Sequence, residues 1–519
     1  MKRIIAHGKI APFLLGLSAL SSLCQAQTSV LTQHNDLSRT GQNLTETKLT
    51  PDIVSSDHFG RMYRISVDGY IYAQPLYMPH LAILDKGARD VVFVATEHDS
   101  VFAIDAATGD QLWKTSFLDP AKQITSVPAA LTNCASITPE LGITATPVID
   151  PVTGTLFVVS MTLERGQYFV HRLHALDVTS GHERLGSPVE IHASHPGVDG
   201  RGNLLVFDPQ LYKERAGLAL WNGVVYTTWS SHCDAGDFHG WVLGYDTQTL
   251  SQVAVFNSTP GGIGGAFWAS GAAPAIDKEG NLYVLSGNGA FTAAHGGSDY
   301  SDSFLKLDTA RGLALTGFFS PFNVYYLDNF DLDIGSSGAL LLPDSAGSRQ
   351  HRHLLVSAGK EGRLYVLDRD HMGGVQTGAD LVAVQTSPNM IGPLFGVPAY
   401  FNGTIYFCPM NDSLKAFRLK NGALLPIPFT QTNIAFGYPG AVPSISASGS
   451  KNGIVWIVDP QAHLRAYEAG DLLRQLFDSG DLGSYVKFAT PTIADGRVFV
   501  GTQDGLVVFG LLAGPGASP

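Results

Sequence analysis

The most regular stretch of the chain is residues 91–117, VVFVATEHDSVFAIDAATGDQLWKTSF. An apolar run at 91–96 ends in the polar turn 97–100. An alternating run at 101–105 follows, then a turn at 106–109 and a third short run at 111–117. Short apolar or alternating runs bounded by Gly, Asp and Ser turns predict β-strands. The same order returns in GTLFVVSM, NGVVYTTWS, GNLYVLSGN, RHLLVSAGKEGRLYVLDRD, NGTIYFCPMNDSLKAFRLKNG, NGIVWIVDPQAHLRAYEAG and GRVFVGTQDGLVVFGLL. Ahead of each unit lies a stretch of small residues, often with Pro: AQPL from Ala73, ATPV from Ala145, AGLAL from Ala216, AAPA from Ala272, SGALLL from Ser337, GVPA from Gly396, AVPS from Ala441 and ATPT from Ala489. Pro and Gly suit an innermost strand that lines a channel, because its outer ladder needs no partner.

Four antiparallel strands per unit, repeated eight times, predict an all-β fold, a single eight-bladed β-propeller. The last unit stops after three strands. Phe59 to Val67, FGRMYRISV, is an unpaired alternating strand that can supply the missing fourth and close the ring from the N-terminal side. No segment carries sustained helical periodicity.

Composition narrows the class. Of 519 residues, 45% are hydrophobic and only 15% charged, which excludes a disordered chain, and 57 are Gly, which suits many tight turns. A net charge of −12 argues against a nucleic-acid partner and against docking on anionic lipid. Lys2, Arg3 and Lys9 precede an apolar stretch at 10–23 and then Cys24-Gln25-Ala26. This pattern predicts a secretory signal peptide cleaved after Ala26, with a lipoprotein anchor at Cys24 as the rival reading. The expected division is a signal peptide at 1–26, a lead-in segment at 27–57, the propeller at 58–512 and a disordered tail at 513–519. The protein is expected to be exported, periplasmic or extracellular, without membrane insertion.

AIDAATGDQLW, with Ala103, Asp105, Thr108, Gly109 and Trp113, resembles the repeat of the pyrroloquinoline-quinone (PQQ) propellers. In that superfamily the Trp docks blade on blade, and the Asp, Thr and Gly tie the turn. Asp105, Thr108, Gly109 and Trp113 are therefore the expected blade-docking set. The whole chain after the signal looks like exported bacterial PQQ-like, quinoprotein-type propellers of poorly defined function. The lead-in, with Arg39 and Asn43 before Leu-Thr-Pro, resembles the same segment of quinoprotein alcohol dehydrogenases.

In a four-stranded blade, the loop before the inner strand and the loop between strands two and three share a face. Here those loops are long: 118–143, 261–271, 329–335 and 387–395 of the first kind, 230–240 and 287–302 of the second. Long loops on a rigid scaffold usually carry function, so a ligand is expected on this face near the axis. The candidates there are His98, His232, His239, Lys360 and Asn411. The stretch Ser231-His232-Cys233-Asp234-Ala235-Gly236-Asp237-Phe238-His239 matches no zinc spacing and reads as a hydrogen-bonded loop. His98 between Glu97 and Asp99 could form an acid–base pair, but such a triplet is more often a capped turn. Lys360 in GKEG could contact an anion or a quinone carbonyl, or simply face solvent. Tyr63, Tyr70, Tyr72 and Tyr77 read as strand packing.

No catalytic residue and no metal site is assigned. Two function classes stay open. One is a binding or scaffolding propeller without cofactor, taking a protein or small-molecule ligand on the long-loop face. The other, implied by the resemblance, is a dehydrogenase using PQQ and calcium on an alcohol or sugar. The chain lacks the vicinal Cys-Cys pair common in quinoprotein dehydrogenases and any C-x-x-C-H haem motif. Cleavage after Ala26 would leave three thiols in an oxidising compartment. Cys134 and Cys233 fall in same-face loops of neighbouring blades, so a disulfide between them is expected, with Cys408 buried and reduced.

Overall fold

A computed structural model describes residues 28–197 and 204–512. The expected signal peptide and the tail at 513–519 lie outside the described residues. Eight antiparallel sheets succeed one another along the chain. Blade one is Leu76–Ile83, Gly87–Thr96, Ser100–Asp105 and Gln111–Ser116, each strand paired with the next. The remaining inner strands begin at Val148, Ala219, Ala275, Leu340, Ala399, Ser444 and Thr492. This is the eight-bladed ring that the repeats predict.

Blade eight is built from both ends of the described chain. Thr492–Ala494, Arg497–Gly501 and Gly505–Leu511 give three strands, and Phe59–Ser66 adds the fourth. The register runs from Phe59 opposite Leu511 to Ser66 opposite Gly505, with a bulge between Arg61 and Tyr63. Pairing the two ends removes the open edges that an unclosed ring would expose.

Each blade is covered on both faces by its neighbours, which is why its second strand reads as a continuous apolar run rather than an alternating one. Val91, Val92, Phe93, Val94 and Ala95 are all buried. Trp113, on the outer strand of blade one, packs towards blade two, and its Nε1 donates to the Val178 carbonyl at 3.0 Å. The turn before it is tied by Asp105, whose Oδ1 accepts from the amides of Ala107 at 2.8 Å and Thr108 at 3.3 Å. Gly109 closes that turn at φ +82°, a left-handed conformation that disfavours a side chain.

The segment ahead of the ring lies inside it. Val30 exchanges backbone bonds with Tyr77 of blade one, and the Leu31 carbonyl accepts from Ile149 of blade two. The carbonyls of Leu37, Ser38, Thr40 and Gly41 accept from Ile276, Leu341, Tyr400 and Ile445, on the inner strands of blades four to seven. Gln42–Asn43 then adds a parallel strand to blade seven, and the Asn43 amide reaches Ile493 of blade eight at 3.0 Å. Inner strands leave one row of N–H groups unpaired, and the lead-in supplies the missing acceptors. At its centre, fully buried Arg39 donates to the carbonyls of Pro274 and Gln33 and to Thr32 Oγ1.

Candidate functional site

A cavity of about 300 Å³ lies near the axis on the long-loop face. Its walls come from the loops that enter the inner strands and from those joining strands two and three. No described residue of the lead-in, which bonds to the inner strands, lines the cavity.

One wall is cationic. Tyr212–Lys213 pairs with the end of the second strand of blade three, Lys213 opposite Ser230. In an extended run alternate side chains share a face, so Lys213 and Arg215 both line the cavity while Glu214 does not. Lys487 completes the wall. Lys213 and Arg215 are buried, and among the described residues none of the three cations has an ion-pair partner. The Lys213 Nζ donates to Ser136 Oγ at 3.1 Å. Burial, followed by the charges of Arg215 and Lys487, pushes the Lys213 ammonium down to about 8. Arg215 is sandwiched between Tyr72 and Phe488, 5.3 and 5.0 Å from their ring centres.

The opposite wall is zwitterionic. Asp331 and Asp333 alternate along their loop and clasp Lys360, with Nζ 2.5 Å from Asp331 Oδ1 and 2.6 Å from Asp333 Oδ1. Burial alone would lower the Lys360 pKa, but the two carboxylates outweigh it and hold the ammonium protonated. Trp268 lies between, its Nε1 donating to Asp333 Oδ2 at 3.0 Å and its ring 5.4 Å from Lys360 Nζ. Phe488 and Tyr438 add to the aromatic lining, and both pack on Phe395, which does not line the cavity.

The expected candidates separate. Lys360 lines the cavity. His232 lies behind the wall, where its Nε2 meets the Tyr212 carbonyl at 3.1 Å, and His171 meets the same carbonyl at 3.0 Å. Burial, with help from Lys213, lowers His232 to about 3, so it is a neutral donor that props the strand carrying Lys213. His98 pairs with Glu140 at 3.0 Å, away from the cavity lining. His239 is held by the Thr259 carbonyl at 3.0 Å. Asn411 adopts a left-handed turn whose amide donates to the Phe436 carbonyl. Tyr72, read from the sequence as strand packing, instead lines the cavity. Lys213, Arg215, Lys487 and Trp268 were not singled out by sequence. The signal was Lys-Glu-Arg directly ahead of a small-residue inner strand, where charge must sit close to the axis.

Cys134 and Cys233 are joined by a disulfide, Cα–Cα 5.6 Å. Cys233 lines the cavity, and Cys134 Sγ lies 3.1 Å from Ser136 Oγ, the hydroxyl that receives Lys213. Cys408 is a buried free thiol that burial holds protonated. Beneath the cationic wall, buried Glu97 accepts from the Gly142 amide at 2.8 Å. Burial raises Glu97 to about 7 despite that bond and the nearby charges of Arg215 and Lys213.

A family model described as outer membrane protein assembly factor BamB matches residues 36–184, the lead-in and the first two blades. The structure resembles a quinohemoprotein alcohol dehydrogenase from Pseudomonas putida HK5 with a TM-score of 0.62 at 13% identity, over 95% of this chain and 82% of that one. It resembles a europium-containing methanol dehydrogenase with a TM-score of 0.60 at 14% identity, over 93% and 98% of the two chains. It also resembles BamB from Moraxella catarrhalis with a TM-score of 0.51 at 14% identity, over 88% and 100%. No protein of curated function matches the sequence. The structures that share this fold thus include both dehydrogenases and BamB, and by fold the chain is an eight-bladed β-propeller like theirs, with a PQQ-like repeat match over its first two blades.

Proposed function

We propose that the protein is an exported binding module that holds a small planar anion in its axial cavity. The observation that carries this reading is the wall of Lys213, Arg215 and Lys487, which has no ion-pair partner among the described residues. Buried Glu97 lies beneath this wall and Asp234 lines the cavity beside it, but neither forms an ion pair with the three cations, and an anionic ligand would supply the direct partner that their burial calls for. Trp268 favours a flat ligand, which can stack on it while its charged edge meets the cations; Tyr72 and Phe488 are already packed on Arg215. A protein partner on the same face is the scaffolding form of this reading, but a charged, buried recess suits a small molecule better. Export is supported by the Cys134–Cys233 bridge, since disulfides persist in oxidising compartments. No described helix is long and apolar enough to cross a membrane.

A second reading, the PQQ-dependent dehydrogenase, is favoured by one observation: Trp268, Asp333 and Lys360 meet in a cavity that also carries a disulfide. The residues present fit the organic cofactor. Lys213, Arg215 and Lys487 would hold its carboxylates, and Trp268 one of its faces. When bound, it supplies a quinone that accepts two electrons. The residues do not fit calcium, which takes about six to eight oxygen ligands. Asp331 and Asp333 are committed to Lys360, and no group of three or more His, Cys, Asp or Glu suited to a metal occurs among the described residues.

Thermal-shift titration separates planar from merely anionic ligands. Planar aromatic polycarboxylates should raise the melting temperature saturably, by about 2.7 kcal/mol of stabilisation at a hundredfold excess over Kd. Citrate should do little. Equal shifts with citrate, or none with any aromatic carboxylate, would count against the reading. Dye-linked oxidation of an alcohol in the presence of PQQ would select the second reading.

A further inference from the structure

We propose that the axial cavity is a reversible covalent site for an anionic aromatic aldehyde or ketone, with Lys213 forming an imine to the ligand's carbonyl carbon. This rests on the reading of the cavity as an anion site and adds the chemical class of its ligand.

The geometry distinguishes Lys213 from the other cavity lysines. Lys360 is clasped by two carboxylates, which keep its nitrogen protonated and without a free lone pair. Lys487 is half-buried and reaches solvent. Lys213 is buried and reached through the cavity, and its Nζ bonds a neutral hydroxyl, Ser136 Oγ. Its strand is fixed by the Ser230 pairing and by two imidazoles on the Tyr212 carbonyl. Desolvation beside Arg215 and Lys487 outweighs the opposing charges of Glu97 and Asp234, and this is the arrangement that frees a lysine amine for attack on a carbonyl. With its ammonium pushed down to about 8, a substantial part of Lys213 carries a lone pair in mildly alkaline solution. Arg215 and Lys487 remain to hold the ligand's anionic groups, and Trp268 its ring.

The step balances without an oxidant. The Nζ lone pair attacks the carbonyl carbon and forms a C–N bond, while the carbonyl oxygen takes up a proton to give a carbinolamine. That oxygen then leaves as water, carrying away the protons lost from nitrogen, and a C=N bond remains. Ser136 Oγ, already bonded to Nζ, is placed to pass a proton between nitrogen and oxygen. Hydrolysis reverses each step and releases the ligand.

The test uses the mature protein and two probes. Pyridoxal 5′-phosphate carries an aromatic aldehyde and an anion, and pyridoxine 5′-phosphate has an alcohol in place of the aldehyde. Cyanoborohydride trapping followed by peptide mapping should place the aldehyde on Lys213, roughly tenfold or more faster than on surface lysines, because each unit of lowered amine pKa is tenfold in free amine. The rate should rise through about pH 8. Lys213→Arg should abolish trapping in the cavity but still bind pyridoxine 5′-phosphate. Binding of pyridoxine 5′-phosphate with no preferential label at Lys213 would overturn the imine and leave the anion site standing. Failure of both probes to bind would overturn both, and faster labelling at Lys360 or Lys487 would overturn the choice of residue.

Discussion

Arg39 donates twice to one carbonyl, that of Pro274, at 3.0 Å from Nε and 2.7 Å from Nη2, across 235 residues of sequence. The guanidinium also binds Thr32 Oγ1 and the Gln33 carbonyl. It thereby ties the lead-in, wound inside the ring, to the inner strand of blade four. Arg39→Ala leaves these buried acceptors unpaired, each at about 1–3 kcal/mol. A loss of about 3–5 kcal/mol is expected in urea unfolding, with Arg39→Lys recovering only part of it because Lys lacks the planar fork. A change under about 1 kcal/mol for Arg39→Ala would mean that the lead-in is not integral to the ring.

The fold was legible because its determinants are local. A strand and its turn occupy about ten residues, and the Asp105-to-Trp113 pattern repeats a known turn chemistry. The wound lead-in was not legible, because the partners of Arg39 and Thr40 lie in blades four and six. The cavity face could be read from loop length, but its chemistry could not. Sequence drew attention to histidines, and His98, His232 and His239 use their rings on Glu140, Tyr212 and Thr259. The residues that make the cavity distinctive, Lys213 and Arg215, looked like ordinary charges ahead of a strand. Only the ring geometry brings them beside Trp268 and Lys487.

Trp113 is proposed to lock blade one to blade two. An added Cβ at Gly181, already at φ +72°, would come within 2.5 Å of the Trp113 ring. Trp113→Ala should cost about 3–5 kcal/mol from the lost packing. Gly181→Ala should destabilise as well, since backbone conformation and ring contact both oppose a methyl group. Thermal melts check both, and a neutral Gly181→Ala would show that this contact yields freely.

Removing the disulfide should loosen one side of the cavity more than the ring. The bridge spans 99 residues of sequence, so Cys134→Ser with Cys233→Ser should lower stability by about 2–4 kcal/mol. Hydrogen exchange should rise in 129–137 and 230–240 and change little in blades five to seven. Uniform loosening throughout the ring would contradict a local role.

Glu97 gives the protein a pH signature. Its folded pKa, about 7, lies above its ordinary value near 4.5. Between those values the folded state binds more protons than the unfolded state, so this group's contribution is fully present below about pH 4.5 and is lost as pH rises to about 7. Glu97→Gln should therefore stabilise the protein at pH 8 relative to pH 4.5, on the order of 1–3 kcal/mol. Denaturant melts at both values read the difference, and a gain that is larger at the lower pH would reverse the assignment.

The central claim is that the unpaired cationic wall binds a planar anion, and isothermal calorimetry of the purified protein with PQQ, a planar tricarboxylate, tests it most directly. Titrations with and without calcium should give saturable one-to-one binding that does not require the metal. Combining Arg215→Gln with Lys487→Gln, in a variant whose melting curve shows it folded, should weaken binding roughly a hundredfold, at about 1.4 kcal/mol for each tenfold loss. Absence of saturable heat with the wild-type protein, or equal affinity in the double variant, would contradict the account.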